Sequence, residues 1–520
     1  MFMFPKKIAI SLLSDSAQRC RHLSKMRFLS SSSGNTVDVH SKSAPDSSSI
    51  PTGVMGQPTC HTHPHIVGPG ELVAGLTVKD FRKRRTELMK RLVASKMREG
   101  KKGHTILIPS ASKTYMSDKI PFVFRQNSDF FYLTGCLEPD CLLMMTCLPG
   151  CDDIQQSILF VRGRDAHSEL WDGPRTGIDD ATRLFRVDVA LPYSELSHYL
   201  TSHLSAHKSD YLWYSPSSPA HQEADESVRK AVAVARLSSA PACPRRTIAA
   251  QRLIKSSAEA KLMLQAATVA GQAINSAMAC TRPGMSEHDI HASIDYWCRR
   301  GGAEHLAFPP VVGGGDRATA IHYIQDNQRL KDGELLLVDA GCQHSAYNSD
   351  ITRTWPVSGK FTPAQATLYD IVHAVQNILL ETLLAERPTL DHLFDVMCGA
   401  LGGFLRAEGI IAKSTSDSEA IALAFRFCPH HVSHYLGLDI HDTPPIQRNV
   451  PVQSGMVITV EPGIYIPAHE TAVPVEFRGI GIRIEDDVLI TNGAQVVLSD
   501  VCHRNRDVVE KIVGTRYLPE

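Results

Sequence analysis

Leu335-Leu336-Leu337-Val338-Asp339-Ala340-Gly341, with Asp350-Ile351-Thr352-Arg353-Thr354-Trp355 opening eleven residues after Asp339, is the stretch from which the rest of the chain is read. An apolar run that closes on an acid and then a glycine reads as a buried strand with a carboxylate at its end, where charge is costly unless a cation meets it. The second segment is rich in β-formers and begins with an acid. Gly341 to Ser349 is long enough for a hairpin that sets both strands side by side. Adjacent strands lie about 4.8 Å apart, so both carboxylates can reach one metal site.

Glu461 repeats the pattern, following Met456-Val457-Ile458-Thr459-Val460 and preceding Pro462-Gly463, which stops the strand. In Gly481-Ile482-Arg483-Ile484-Glu485-Asp486, the two-residue strand period puts Ile482 and Ile484 on one face and Arg483 with Glu485 on the other. Glu485 then faces the site, and Arg483 can brace a carboxylate beside it. His434 lies in the segment His430 to His441, which holds four imidazoles in twelve residues. Asp339, Asp350, His434, Glu461 and Glu485 together offer four carboxylates and one imidazole and no thiolate, a donor set for two hard divalent ions rather than structural zinc. Two such ions roughly 3.5–4 Å apart share a water and clamp a bond under hydrolysis.

The stretches from Leu335 to Trp355, His430 to Asp442 and Thr459 to Asp487 resemble the signature blocks of the pita-bread metallopeptidases, the family of methionine aminopeptidase, prolidase and Xaa-Pro aminopeptidase. The resemblance implies that Asp339, Asp350, His434, Glu461 and Glu485 are the five ligands of a dimetal centre, most simply two Mn²⁺ ions. It further implies that Glu461 doubles as general base and that His322 and His441 contact substrate and the tetrahedral intermediate. His430 and Arg483 brace the ligands on the same reading. Phe308, His434, His441, Glu461 and Glu485 are the expected substrate contacts, and Phe308 stands where close relatives carry Tyr, which removes one hydrogen bond to substrate.

Arg84-Arg85, the segment Phe124 to Gly135 and Glu169-Leu170-Trp171-Asp172-Gly173 are similar to the amino-terminal domain of aminopeptidase P. That similarity runs from about residue 70 to the end and implies hydrolysis of the bond before proline at the N-terminus of peptides and proteins. It also implies a homodimer in which residues around Asp118 and Trp171 close the neighbouring pocket. Prolidase, a mitochondrial trimming aminopeptidase without a strict proline requirement, and a non-catalytic pita-bread binding module are the alternatives.

The chain has 520 residues and a formal net charge of −1, which argues against nucleic acid or an anionic membrane as the main partner, since either favours a basic surface. No apolar run approaches the roughly 18–20 residues of a membrane span. Thirteen cysteines without a CxxC pair argue for a reducing compartment. Residues 1–37 carry six Lys and Arg against Asp15 alone, with a serine run at Ser30 to Ser33, which reads as a mitochondrial transit peptide and places the enzyme in the matrix, with a cytosolic form left open. Residues 38–69, rich in Ser, Pro and Gly, read as a flexible linker. Its Cys60-His61-Thr62-His63-Pro64-His65 is expected to be solvated.

Prolines near Ala240-Pro241-Ala242-Cys243-Pro244 divide an aminopeptidase P N-terminal domain at 70–243 from a catalytic domain at 244–520. Strands are expected at Thr105 to Ile108 and Cys141 to Met145, and helices at Ser257 to Cys280, after the Ser286/Asp289 capping box, and after Thr362-Pro363. The fold class is α+β: a small α/β domain, then a sheet platform with helices on one face.

Overall fold

Leu335–Ala340 and Ile351–Pro356 are adjacent antiparallel strands in the computed structural model, with Asp339 opposite Thr352 and Ala340 opposite Ile351. The structure describes residues 50–216 and 221–516; the expected leader at 1–37 and the first part of the expected linker lie outside them. The connection between the two strands is more than a turn. Cys342–His344 and Tyr347–Asn348 pair as a small hairpin of their own, with Ser345 and Ala346 at φ 52° and 69°. Gly341 passes so close beneath it that a Cβ there would stand 1.7 Å from the Ser349 carbonyl oxygen, a backbone approach that only glycine allows.

The alternation expected through Gly481 to Asp486 does not hold. Ile480–Arg483 pairs with Gly463–Ile466, whereas Asp486–Thr491 pairs with Val457–Val460, so one pairing ends before Glu485 and another begins after it. Glu461 and Pro462 occupy the matching break between the two partner strands. The amides freed there turn elsewhere: Glu461 N donates to Val432 O at 2.9 Å and Glu485 N to Thr352 O at 3.0 Å. Both glutamates thus sit at facing interruptions of the sheet, where a side chain can be re-aimed.

The helices begin where expected, two of them at the caps read from the sequence. Ser256 with Glu259, Ser286 with Asp289, and Thr362 with Gln365 each close a reciprocal capping box, starting helices Ser257–Cys280, Glu287–Arg300 and Pro363–Glu386. Their cover is not confined to one face. Leu336, Val338 and Ala340 join an apolar cluster with residues of the first two helices, while Leu335 and Leu337 join another with Leu368, Val372 and Val375 of the third. An uninterrupted apolar strand has two faces to bury, so both are covered.

In the N-terminal half, His104–Pro109 and Leu142–Cys147 are antiparallel neighbours in a five-stranded mixed sheet. The chain from Ile50 is packed against this half rather than solvated: Ile50, Met55 and Val67 are buried, and Gln57 exchanges hydrogen bonds with Gly135 O and Leu137 N. The His61 to His65 stretch stays at the surface.

Ser47–Glu520 forms one compact unit, and charges join its halves. Arg252, at the end of helix Arg245–Arg252, donates to Asp129 at 2.6 Å on the N-terminal side, and to Asp439 at 2.7 Å and Asp442 on the catalytic side. Arg125 and Ser128 also hold Asp439, at 3.0 and 2.7 Å. Among the described residues no helix is long and apolar enough to cross a membrane.

Candidate metal centre

The four acids and one imidazole singled out from the sequence converge at the ends and breaks of these strands. One ligand atom each from Asp350, His434 and Glu485 lies within 4.8 Å of the others, a spacing that could hold a metal ion. His434 Nε2 is 3.3 Å from Asp350 Oδ2 and 3.6 Å from Glu461 Oε1. Its Nδ1 faces the Tyr435 carbonyl at 3.1 Å, which assigns the proton to Nδ1 and leaves the Nε2 lone pair pointing at the acids. Asp339 joins from the facing strand.

The acids are braced by hydroxyls and one guanidinium. Arg483 donates to Asp339 Oδ2 at 2.6 Å, to Tyr465 OH at 2.6 Å and to Thr352 Oγ1 at 3.0 Å. Thr352 in turn donates to Glu485 Oε2 at 2.6 Å, and Thr459 donates to Glu461 Oε1 at 3.1 Å. Tyr465 OH stands 2.8 Å from His430 Nε2, whose Nδ1 is 3.6 Å from Glu461 Oε2. With its oxygen accepting from Arg483, the phenol proton goes to His430. A hydrogen-bonded chain Asp339, Arg483, Tyr465, His430 results, and it ends at the His431 carbonyl, 3.0 Å from His430 Nδ1.

Electrostatically the cluster is short of positive charge. Burial, then the neighbouring acids, push the Asp350 and Glu485 carboxyls well above the ordinary carboxylate range. Asp339 Oδ1 is buried without a hydrogen-bond partner. Arg483 is the guanidinium in direct contact with these acids, and it meets only Asp339. An orphaned buried oxygen among crowded acids is what a divalent ion would satisfy, and hard oxygen donors with one imidazole suit such ions. The residues fit the metal pair that the family implies.

His322 and His441 are exposed. The His441 ring meets that of His434 edge-on, with centroids 4.6 Å apart. Burial and then His434 hold His441 below its ordinary pKa, and His322 is near enough to add to that shift. Phe308 lies beside Gly341 at the end of the Asp339 strand, its Cε1 3.3 Å from where a Gly341 Cβ would be. Asp118 and Trp171 are far out on the N-terminal half, both exposed.

Thr352, Thr459, Tyr465 and Gln376 take part in the site without having been singled out. Gln376 Nε2 lies 3.4 Å from Val460 O and 3.3 Å from Ile484 O, the carbonyls just before Glu461 and Glu485, and 3.0 Å from Asp486 Oδ2. A hydroxyl in a strand or an amide in a helix carries no local signal of such a partner. Only their burial, at 0% exposure for Thr352, Thr459 and Gln376, reveals it.

Fold and site thus define a two-domain hydrolytic metalloprotein, and comparison with known proteins agrees. Residues 261–492 match metallopeptidase family M24, and residues 81–213 match the aminopeptidase P N-terminal domain. The chain is 41% identical to Xaa-Pro aminopeptidase 3 of Rattus norvegicus over 89% of this chain and 91% of that protein. It is 34% identical to the mitochondrial intermediate cleaving peptidase 55 of Arabidopsis thaliana, over 86% and 85%. Zinc-substituted aminopeptidase P of Escherichia coli in complex with product superposes with a TM-score of 0.76 at 33% identity, covering 85% of this chain and all of that one. The chain belongs to the Xaa-Pro aminopeptidases of metallopeptidase family M24, with an aminopeptidase P N-terminal domain followed by a pita-bread domain.

Proposed function

We propose that this protein is a two-metal Xaa-Pro aminopeptidase that removes the first residue from peptides and proteins with proline in second position. The observation that carries the reading is the convergence of Asp339, Asp350, His434, Glu461 and Glu485 around one buried, charge-deficient point. Two divalent ions there, Mn²⁺ in our assignment, would supply the activated water and the anchor for the free α-amine. Asp339, Asp350, His434, Glu461 and Glu485 are the residues that would hold them.

The protein's own groups do the rest. Glu461 takes the proton of the attacking water and returns it to the leaving proline nitrogen. His430, held neutral by burial and fixed between Tyr465 and the His431 carbonyl, stands beside Glu461, which Thr459 keeps in place, while Arg483 keeps Asp339. His441 and His322, at the open side, are the donors for the carbonyl oxygen as negative charge develops on it. Phe308 offers a flat apolar face next to Gly341 and no hydroxyl, so proline contact there is purely apolar.

We assign residues 70–243 and 244–520 to the two domains. For a homodimer contact we choose the N-terminal half, where Val123, just after the Tyr115–Ser117 and Ile120–Pro121 hairpin, and Leu170 of helix Ala166–Asp172 are each 79% exposed and Trp171 is 71% exposed. Lys113 and Asp172, 2.8 Å apart, tie the hairpin to the helix. The basic leader assigns the protein to the mitochondrial matrix.

The test is Mn²⁺-dependent release of the first residue from Xaa-Pro-Yaa, Xaa-Ala-Yaa and the Xaa-Pro dipeptide. Cleavage of the proline tripeptide alone supports the proposal; preference for the dipeptide means prolidase, and no cleavage by metal-loaded protein means a binding module. Preference for alanine means the broader trimming enzyme, a reading favoured by the likeness to intermediate cleaving peptidase 55.

A further inference from the structure

Glu287, the first residue of helix Glu287–Arg300, is 0% exposed yet lies outside the metal centre. A carboxylate in that position needs full compensation, and it receives four hydrogen bonds. Oε1 accepts from Gly314 N at 3.0 Å and Arg317 Nε at 2.7 Å; Oε2 accepts from Tyr323 OH at 2.8 Å and Gln328 N at 2.9 Å. All four donors belong to the single segment 314–328, which wraps around this carboxylate.

Within its own backbone that segment has only turn bonds, among them Ala320 N to Arg317 O at 3.0 Å and Tyr323 N to Ala320 O at 3.2 Å, and Arg317 also meets Glu334 at 3.5 Å. After the short Gly315–Thr319 turn of helix it has no helix or strand through Gln328. His291, one turn further along the same helix face, adds a second clamp through Asp326 at 2.7 Å. Between the two clamps sits His322, next to Tyr323. On the other side, Gly481 of the strand leading to Arg483 packs so tightly on the segment that a Cβ would stand 2.3 Å from Ala318 O. The loop is therefore pinned against the strand that braces the ligands and hung from one carboxylate.

We infer that Glu287 is a positioning residue: through Tyr323 it fixes where the His322 imidazole stands over the site. The inference rests on the proposed role of His322. A carboxylate with four donors across fifteen residues sets one loop geometry, where an apolar residue would leave several of similar energy.

The test is a double-mutant cycle on tripeptide hydrolysis, with melting temperature and bound metal measured for each variant. Tyr323→Phe removes a single bond and keeps the ring, so the protein stays folded. It is expected to lower kcat roughly tenfold with metal content unchanged, within the roughly hundredfold that a 1 Å misplacement causes. In a His322→Ala background the same change should cost nothing further. An equal loss in both backgrounds, or none in either, overturns the inference. If His322→Ala alone leaves kcat untouched, the role of His322 fails first, a result distinct from the other two. Glu287→Gln should also raise amide hydrogen exchange over residues 320–328 in the metal-free protein; unchanged exchange counts against Glu287 as the anchor.

Discussion

Arg252 and Asp439 are 2.7 Å apart, and because Arg252 also reaches Asp129 at 2.6 Å, the loop that carries His441 is tied through it to the N-terminal half of the molecule. Arg252 also meets Asp129 and Asp442, so removing it leaves Asp129 without its cation and leaves Asp439 and Asp442 with only Arg125 and Lys255. Arg252→Leu should destabilise the fold by about 3–5 kcal/mol, the usual cost of breaking a buried pair from one side. Arg125→Ala, at the half-exposed end of the same network, should cost less than about 1 kcal/mol. Urea unfolding of the two variants separates these outcomes, and equal losses would mean that Arg252 is not the tie.

Gly341→Ala places a methyl against backbone, which cannot rotate away, 1.7 Å from the Ser349 carbonyl oxygen. The strand pair holding Asp339 and Asp350 must then part. We expect weakened metal binding together with a loss of about 3 kcal/mol, the upper end of ordinary overpacking. Metal titration of the purified variant, with its melting temperature, is the check.

How much of this was legible follows from what each residue's neighbours say. Asp339 and Glu461 could be read because a charge closing an apolar run is locally anomalous, and the helix starts at Ser286 and Thr362 because both capping partners lie within one turn. The facing breaks at Glu461 and Glu485 could not, since the alternation of Ile482 and Ile484 is locally that of an unbroken strand and the interruption depends on which chain pairs with it. Thr352 and Gln376 act on partners more than 100 residues away. The 50–67 segment looks like a linker by composition, yet the few residues that matter, Met55 and Gln57, pack specifically.

Gln376→Leu keeps the side-chain volume close and deletes the amide between the carbonyls ahead of Glu461 and Glu485. Thr352→Val removes the hydroxyl that orients Glu485. Each should weaken metal affinity by about 10–100-fold, the usual effect of losing a group that holds a ligand in place, while leaving the protein folded. Competition with a calibrated chelator measures this; affinity unchanged in both would mean that the acids need no outside support.

Acid stability should depend on His373, on helix Pro363–Glu386 and far from the candidate ligands in sequence. Burial, helped by Arg504, lowers its pKa to about 4, against about 6.5 for the unfolded chain. The unfolded state therefore takes up the proton first as pH falls. The stability that His373 contributes is present above about pH 6.5 and is lost as pH drops toward 4, by up to about 3 kcal/mol if no other group moves. His373→Gln should flatten the decline in melting temperature between pH 6.5 and 4 relative to wild type, even if it lowers stability at neutral pH. An unchanged slope would assign acid lability to other groups, with His203, also held at about 4 by burial and then by its neighbour His207, the next to replace.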